Sequence, residues 1–306
     1  MLALVAAPAM EEKVELREVP EPEPHSDEAL IEVHSISLNR GEVNRLATAA
    51  DGWRLGWDVA GVVLEQAARA GGPAKGERVV GLSNFGGWSR RLAIPTSQLA
   101  VIPNGIEFAV AATLPVAGIT ALRLLRFGGL LLDQPVLITG ASGGVGRIAV
   151  QLAHQAGAVV TAVVGHAERG AGLKDLGADT VVVGHDNAAG PYHLVLEAAG
   201  GASLANSLKA VGEGGTVVAY GNSAREATTI MVNDFYMKDA RLAGFFLFGS
   251  MRGLPVGPDL AHLLSLVAAG RLDPQLASQS SWRNAAAALR ELRERRVPGK
   301  AVLNLD

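Results

Sequence analysis

The 306-residue chain has no cysteine. Disulfides, cysteine nucleophiles and zinc sites built on thiolates are therefore excluded. Aromatic residues are scarce at 5%, and the three tyrosines (Tyr192, Tyr220, Tyr236) all lie in the second half. Neither sign of charge dominates: 27 Lys and Arg stand against 30 Asp and Glu, a formal net charge of −3. No positive field exists to attract nucleic acid, so none is expected as a partner. The apolar start, Met1 to Met10, is too short to span a bilayer and has no basic flank, so it does not read as a signal peptide. We expect a cytoplasmic protein with no membrane partner. None of the seven histidines pairs at metal-ligand spacing, and no metal site is expected.

What the chain does have is apolar content. Hydrophobic residues make up 49%, which excludes a disordered protein. Its length favours two domains over one. The first hundred residues read as irregular β. Leu2 to Ala6, Ala29 to Ile36, Val59 to Leu64, Arg78 to Leu82, Arg91 to Ile94 and Leu99 to Pro103 are strand candidates, with no long helix among them. Helical spacing begins at Phe108 to Leu114 and Gly118 to Phe127.

From Pro135 the chain alternates. Strands are predicted at Val136 to Thr139, Val159 to Val164, Thr180 to Val183, His193 to Glu197, Thr216 to Tyr220 and Arg241 to Phe248. Helices are predicted at Val145 to Ala156, Glu168 to Leu176 and Ser203 to Val211. Val-rich strands separated by helices indicate a parallel sheet covered on both faces, hence an α/β doubly wound nucleotide-binding domain. Two more helices, Leu260 to Ala269 and Arg283 to Arg296, and a strand, Lys300 to Leu305, are expected to pack back onto the N-terminal β region.

The sharpest motif is Gly140-Ala141-Ser142-Gly143-Gly144-Val145-Gly146, set between a predicted strand and a predicted helix. Glycines permit a tight turn and a close approach of backbone to a pyrophosphate, and the helix N-terminus offers unpaired N–H groups. A plain tight turn is the alternative, and the strand–loop–helix context argues against it. An NAD site usually carries an acid after the second strand. Here Val163-Val164 runs into Gly165-His166-Ala167-Glu168-Arg169. His166 and Arg169 suit a 2′-phosphate, which favours NADPH. The alternative has Glu168 at the ribose hydroxyl and Arg169 in solvent.

The chain also resembles the medium-chain dehydrogenase/reductase superfamily, in its zinc-independent quinone oxidoreductase (zeta-crystallin-like) branch. The resemblance runs through Ser37-Leu38-Asn39-Arg40-Gly41-Glu42, Gly56-Trp57-Asp58-Val59-Ala60-Gly61-Val62-Val63, Gly76-Glu77-Arg78-Val79-Val80-Gly81 and Gly86-Gly87-Trp88-Ser89. It continues through Leu114-Pro115, Gly118-Ile119-Thr120-Ala121, the glycine loop, Leu176-Gly177-Ala178-Asp179 and Gly299-Lys300-Ala301-Val302. It implies a GroES-like β domain over 1–110, completed by 253–306, and a Rossmann NADPH-binding domain over 111–252. It implies hydride transfer from NADPH to a quinone or an α,β-unsaturated carbonyl compound, without metal. By resemblance, Gly140, Ser142, Gly143, Gly144, Val145 and Gly146 hold the pyrophosphate. Gly165, His166 and Arg169 surround the 2′-phosphate, and Thr120, Gly221, Asn222, Phe245, Phe246 and Leu247 line the nicotinamide pocket.

Asn39 and Arg40 are the candidate catalytic residues, as donors to charge developing on a substrate oxygen. A loop-capping role for Asn39 and an ion pair for Arg40 are the alternatives. Trp53 and Trp57 are candidates for an apolar wall, with core packing as the alternative. Relatives carry a tyrosine shortly after the Asn39 loop, and this chain has none there. Relatives also dimerise through the last Rossmann strand, so a homodimer is expected. Two further functions stay open, a non-catalytic NADPH-binding redox sensor and a zinc-free alcohol dehydrogenase-like enzyme.

Overall fold

The structure is a computed structural model and describes residues 1–69 and 71–306. The chain divides into two units, Met1–Ile119 with Met251–Asp306, and Thr120–Ser250. In the first, β1 (Leu2–Ala6) and β2 (Val14–Glu18) form an antiparallel pair. There follow β3 (Glu28–Leu38), α1 (Arg40–Leu46), β4 (Asp58–Glu65), β5 (Arg78–Leu82), β6 (Arg91–Pro95), β7 (Leu99–Val101) and α2 (Phe108–Ala112). In sequence, α3 (Pro115–Leu125) bridges the division.

The second unit contains β8 (Pro135–Ile138), α4 (Gly144–Gln155), β9 (Val159–Val164), β10 (Thr180–Val183), β11 (Tyr192–Glu197), α5 (Gly201–Ala210), β12 (Val211–Ala219), α6 (Asn233–Tyr236), β13 (Arg241–Gly244) and α7 (Leu247–Ser250). The chain then returns to the first unit as α8 (Gly257–Ala268), β14 (Leu276–Ser281), α9 (Ala285–Arg293) and β15 (Lys300–Asn304).

Among the described residues the first unit holds a seven-stranded sheet, ordered β14-β15-β3-β4-β5-β7 with β6 also paired to β3. β15 is antiparallel to β3, with Ala301 opposite Leu38, so this strand joins the N-terminal sheet. β3 explains itself through its neighbours. Its first half alternates buried and partly exposed residues, whereas Ser35–Leu38, between β15 and β4, is buried throughout. Ile31, Ile36, Val59 and Ile94 build the core around the fully buried indoles of Trp88 and Trp282.

The second unit is the doubly wound fold: six parallel strands in the order β10-β9-β8-β11-β12-β13. The strand order reverses direction between β8 and β11, and crevices at such switch points are where ligands bind. The fold class is α/β, with a mostly antiparallel sheet in which only β14 and β15 pair parallel among the described residues, and a parallel sheet, as the sequence indicates.

Two elements differ from expectation. The helix expected over Glu168 to Leu176 reduces to a 3-10 turn over Ala167–Gly170, followed by turns. Gly170 and Gly172 stand in its path, and Gly172 has φ +75°, which no continuing helix tolerates. The strand expected over Arg241 to Phe248 ends at Gly244, with one further ladder bond from the Phe245 N–H to the Ala219 oxygen (2.9 Å). The remaining apolar residues turn into α7, and Phe246 is exposed. The short α1 and the strands β2 and β14 also go unseen in the sequence reading.

At Gly61 in β4 the neighbouring strand comes too close for any side chain. A Cβ there would lie 1.9 Å from the Glu32 carbonyl oxygen. Gly61→Ala is expected to lose about 1–3 kcal/mol through forced backbone displacement, read as a lower denaturant midpoint. An unchanged midpoint would show that the β3–β4 contact is soft.

Candidate functional site

The glycine loop sits at the carboxyl end of β8, where each glycine has its own reason. Gly140 adopts φ +61°, a conformation costly for other residues. At Gly146 a Cβ would lie 2.6 Å from both Ala141 Cα and the Gly140 oxygen, so that glycine permits close helix–loop packing. Gly143 differs from both. Its φ is −83°, and a Cβ would meet only the Gly140 oxygen at 3.4 Å, so the fold alone does not require glycine there. Gly143 is also the N-cap of α4, and no side chain caps the first turn. The N–H groups of that turn thus lack the usual oxygen acceptor, which makes an anion cradle.

Neighbouring strands bring other loops to the same edge. The Ala141 N–H donates to the Val163 oxygen at the end of β9 (3.1 Å), next to Gly165 and His166. The Ala198 N–H donates to Thr139 Oγ1 (2.8 Å), linking the loops after β8 and β11. A Cβ on Gly221 would lie 2.7 Å from the Ala198 oxygen, and one on Gly200 would lie 2.3 Å from Asn222 Oδ1. Gly140, Ser142, Gly143, Gly144, Val145, Gly146, Gly165, His166, Gly221 and Asn222 therefore share the carboxyl edge of the sheet. Arg169 follows in the 3-10 turn after β9, its N–H bonded to the His166 oxygen (3.1 Å). Phe245 follows β13 and packs edge-on against Phe127, Leu247 is buried, and Thr120 is buried in α3.

Behind this edge, Glu197 is fully buried. Its carboxylate accepts the N–H groups of Ala199 (2.6 Å) and Gly200 (2.8 Å) and the hydroxyls of Ser203 (2.9 Å) and Ser207 (3.2 Å). Burial, with the nearby Glu197 charge, pushes the Tyr220 phenol well above its usual range, so it stays protonated.

Asn39 and Arg40 lie in the first unit. Asn39 ends β3 in extended conformation and opens α1. Its N–H donates to Glu42 Oε2 (2.8 Å), the reciprocal bond of a capping box. Its side-chain Nδ2 donates to Glu42 Oε2 (3.2 Å) and Asp58 Oδ2 (2.9 Å), while its Oδ1 accepts from Lys300 Nζ (2.6 Å). The Asp58 carboxylate only accepts and the Lys300 ammonium only donates, so the amide has one possible orientation. The N–H bonds that the sequence reading offers to a substrate oxygen are thus directed at two carboxylates. Arg40 is the first residue of α1 and half-buried.

Asp58 anchors the cluster. Oδ2 also accepts from Ser37 Oγ (2.8 Å) and Lys300 Nζ (3.1 Å), and Oδ1 accepts the Val116 N–H in the first turn of α3 (2.8 Å). Glu42 Oε1 accepts the Trp57 N–H (2.9 Å), and the Trp57 ring lies over Gly41, where a Cβ would sit 2.6 Å away. Trp57 is therefore core, whereas Trp53 is exposed beneath the Arg45 guanidinium. Glu42, Asp58, Ser37 and Lys300 are all buried. Burial, and then the Asp58 charge, push the Glu42 carboxyl up to about 8, against the pull of Lys300 and two backbone N–H donors. The sequence reading missed Glu42, Asp58 and Lys300 as functional positions. The Asn39–Glu42 spacing is a capping signal that points to the first of them.

The chain has no cysteine, and the described residues hold no group of three His, Cys, Asp or Glu that could bind a metal ion. No helix among them is long and apolar enough to cross a membrane.

An antiparallel β unit joined in sequence to a doubly wound unit, with a glycine loop at its switch point, defines a dehydrogenase/reductase architecture. Residues 144–254 match the family model for zinc-binding dehydrogenases. The chain is 25% identical to the acryloyl-coenzyme A reductase of Sulfurisphaera tokodaii, with 98% of each covered. It is 39% identical to the chloroplast envelope quinone oxidoreductase homolog of Arabidopsis thaliana, over 54% of this chain and 55% of that protein. It is 33% identical to a spectinabilin polyketide synthase system protein of Streptomyces orinoci over 90% of this chain, but spans only 13% of that protein. Escherichia coli quinone oxidoreductase, solved in complex with NADPH, shares the fold with a TM-score of 0.87, 23% identity, and 99% and 100% of the two chains covered. In sequence the chain is thus similar to medium-chain dehydrogenase/reductases of the quinone oxidoreductase branch.

The raised Glu42 pKa has a stability consequence. Between the ordinary carboxyl range and about 8 the folded state holds a proton that the unfolded state has lost. Stability therefore falls as pH rises through that window, by up to about 1.4 kcal/mol per pH unit. Denaturant unfolding at pH 5 to 9 is expected to show this fall, and Glu42→Gln to flatten it. An equal slope in both proteins would place the proton elsewhere.

Proposed function

We propose that the chain is an NADPH-dependent reductase that passes hydride to a quinone or an α,β-unsaturated carbonyl compound without a metal. The observation that carries this reading is Gly143, a glycine without a packing reason at an uncapped helix N-terminus. A pyrophosphate lying against that backbone supplies the reason, and the fit of the loop supports a dinucleotide. When bound, NADPH supplies the hydride.

The residues of the chain bind and orient. The first-turn N–H groups of α4 hold the diphosphate, with Gly140, Ser142, Gly144, Val145 and Gly146 shaping the cradle. His166 and Arg169, after β9, meet the 2′-phosphate. Thr120, Gly221, Asn222, Phe245, Phe246 and Leu247 border the nicotinamide. Arg40 and the turn at Asn39 serve the acceptor. Positioning supplies most of the rate, since holding donor and acceptor together removes a large entropic barrier. Relatives named for reducing acryloyl-coenzyme A and 2-haloacrylate support an activated alkene as the acceptor class. We place the protein in the cytoplasm as a homodimer paired along β13, the edge strand where Leu242 is 40% exposed.

One observation favours a second reading, a non-catalytic NADPH-binding redox sensor: the Asn39 amide is already fully engaged. NADPH oxidation measured with a panel of quinones and enones separates the two. Turnover on any of them supports the reductase, and tight NADPH binding with turnover on none supports the sensor.

Gly143→Val is expected to fold normally and to lose NADPH binding by calorimetry, because its side chain enters the cradle rather than the core. Retained affinity would remove the loop from the site. Arg169→Ala is expected to weaken NADPH by about tenfold or more while changing NADH little, as loss of a charged contact to phosphate costs roughly 1.5–3 kcal/mol. Equal losses for both cofactors would count against the 2′-phosphate assignment.

A further inference from the structure

We propose that Lys300 and Glu42 are positioning residues that lock the turn Leu38–Gly41 through the two ends of the Asn39 amide, and that hydride transfer to the acceptor requires that lock. This proposal rests on the reductase reading above. Lys300 reaches the turn from β15, at the far end of the chain. Its ammonium donates to the Leu38 oxygen (3.2 Å), Asn39 Oδ1 (2.6 Å) and Asp58 Oδ2 (3.1 Å), so all three of its donors are spent on this cluster. Glu42 takes the opposite end of the same amide and the Asn39 N–H.

The charged groups facing the amide are Glu42 from α1, Asp58 from β4 and Lys300 from β15. β3 adds the Ser37 hydroxyl, and α3 adds only a backbone N–H, that of Val116, on the far oxygen of Asp58. Fixing one four-residue turn uses a buried cation, a buried carboxylate and a second buried carboxyl group, each expensive to desolvate. A turn that needed only to reverse direction would be served by the capping bond alone. The extra groups remove the remaining freedom of Arg40 and its neighbours, the segment assigned to the acceptor. Glu42 also makes the lock responsive to pH: loss of its proton adds a second carboxylate beside Asp58, against the single positive charge of Lys300.

The test is Lys300→Met. Amide exchange at Asn39, Trp57 and Val116 is expected to quicken by about tenfold or more, with the strands β8 to β13 unaffected. NADPH affinity is expected to stay within about threefold, since the bonds of Lys300 all go to Leu38, Asn39 and Asp58 and none to the residues assigned to the cofactor. kcat on an enone is expected to fall by at least about tenfold with KM little changed, and Lys300→Arg to recover part of it. Unchanged exchange overturns the lock. Faster exchange with unchanged kcat overturns its role in the reaction. A wild-type protein without turnover on any acceptor overturns the reductase reading, while the exchange result still decides the lock. If neither Lys300 variant folds, Glu42→Gln decides: its kcat–pH profile is expected to lose a limb near pH 8 that the wild type has, and identical profiles refute the proposal.

Discussion

A carboxylate removed from water must be surrounded by donors or lose its charge, and Asp58 is the group on which the first unit turns. It is fully buried, and its four donors come from three separate stretches of chain: Ser37 in β3 and Asn39 just after it, Lys300 on β15, and Val116 at the start of α3. None of these stretches can shift without leaving a charge unpaired. The requirement converts a sheet held by interchangeable apolar contacts into one with a single permitted register at this point. It also explains why the C-terminal strand belongs to a sheet built mostly from the first hundred residues. Without Lys300, the buried Asp58 carboxylate would share the amide nitrogen of Asn39 with the Glu42 carboxyl and have no cation beside it.

The second unit solves the same problem differently. Glu197 is as deeply buried as Asp58, yet its donors are neutral: two N–H groups of the loop after β11 and two serine hydroxyls one turn apart on α5. The dipole of α5, which begins just beyond, adds partial positive charge at no cost in desolvated cations. Glu197 thereby shapes the loop that meets Gly221 and Asn222 at the sheet edge. The Asp58 cluster, with its second carboxylate, is the pH-sensitive one of the two.

How legible each part is in the sequence follows from how local its physics is. The strand, glycine loop and helix over 136–155 are contiguous, so composition and spacing suffice to place the cradle. Most strands of the two large sheets are legible for the same reason, by their Val-rich or alternating patterns, with β14 the exception. The failures come where a local pattern is interrupted by conformation. Gly172 breaks an otherwise helical spacing, and Gly244 ends a strand whose next four residues are all apolar. The buried cluster is the least legible part. Asp58 and Lys300 stand 242 residues apart, and nothing in either neighbourhood announces the other. Only the Asn39–Glu42 spacing is local, and it points to a helix start rather than to the groups that surround it.

The two sites also divide the demands on backbone and side chain. At the glycine loop the chemistry is done by removal: Gly140 permits the turn, Gly146 permits helix and loop to touch, and Gly143 leaves room for something outside the protein. At the Asn39 turn it is done by addition, with charged side chains filling every valence of one amide. A cradle of backbone N–H groups is stiff because α4 is stiff, and needs no further support. A turn between a strand and a seven-residue helix has no such stiffness of its own. The buried ion pair supplies from across the sheet the rigidity that so short a helix lacks.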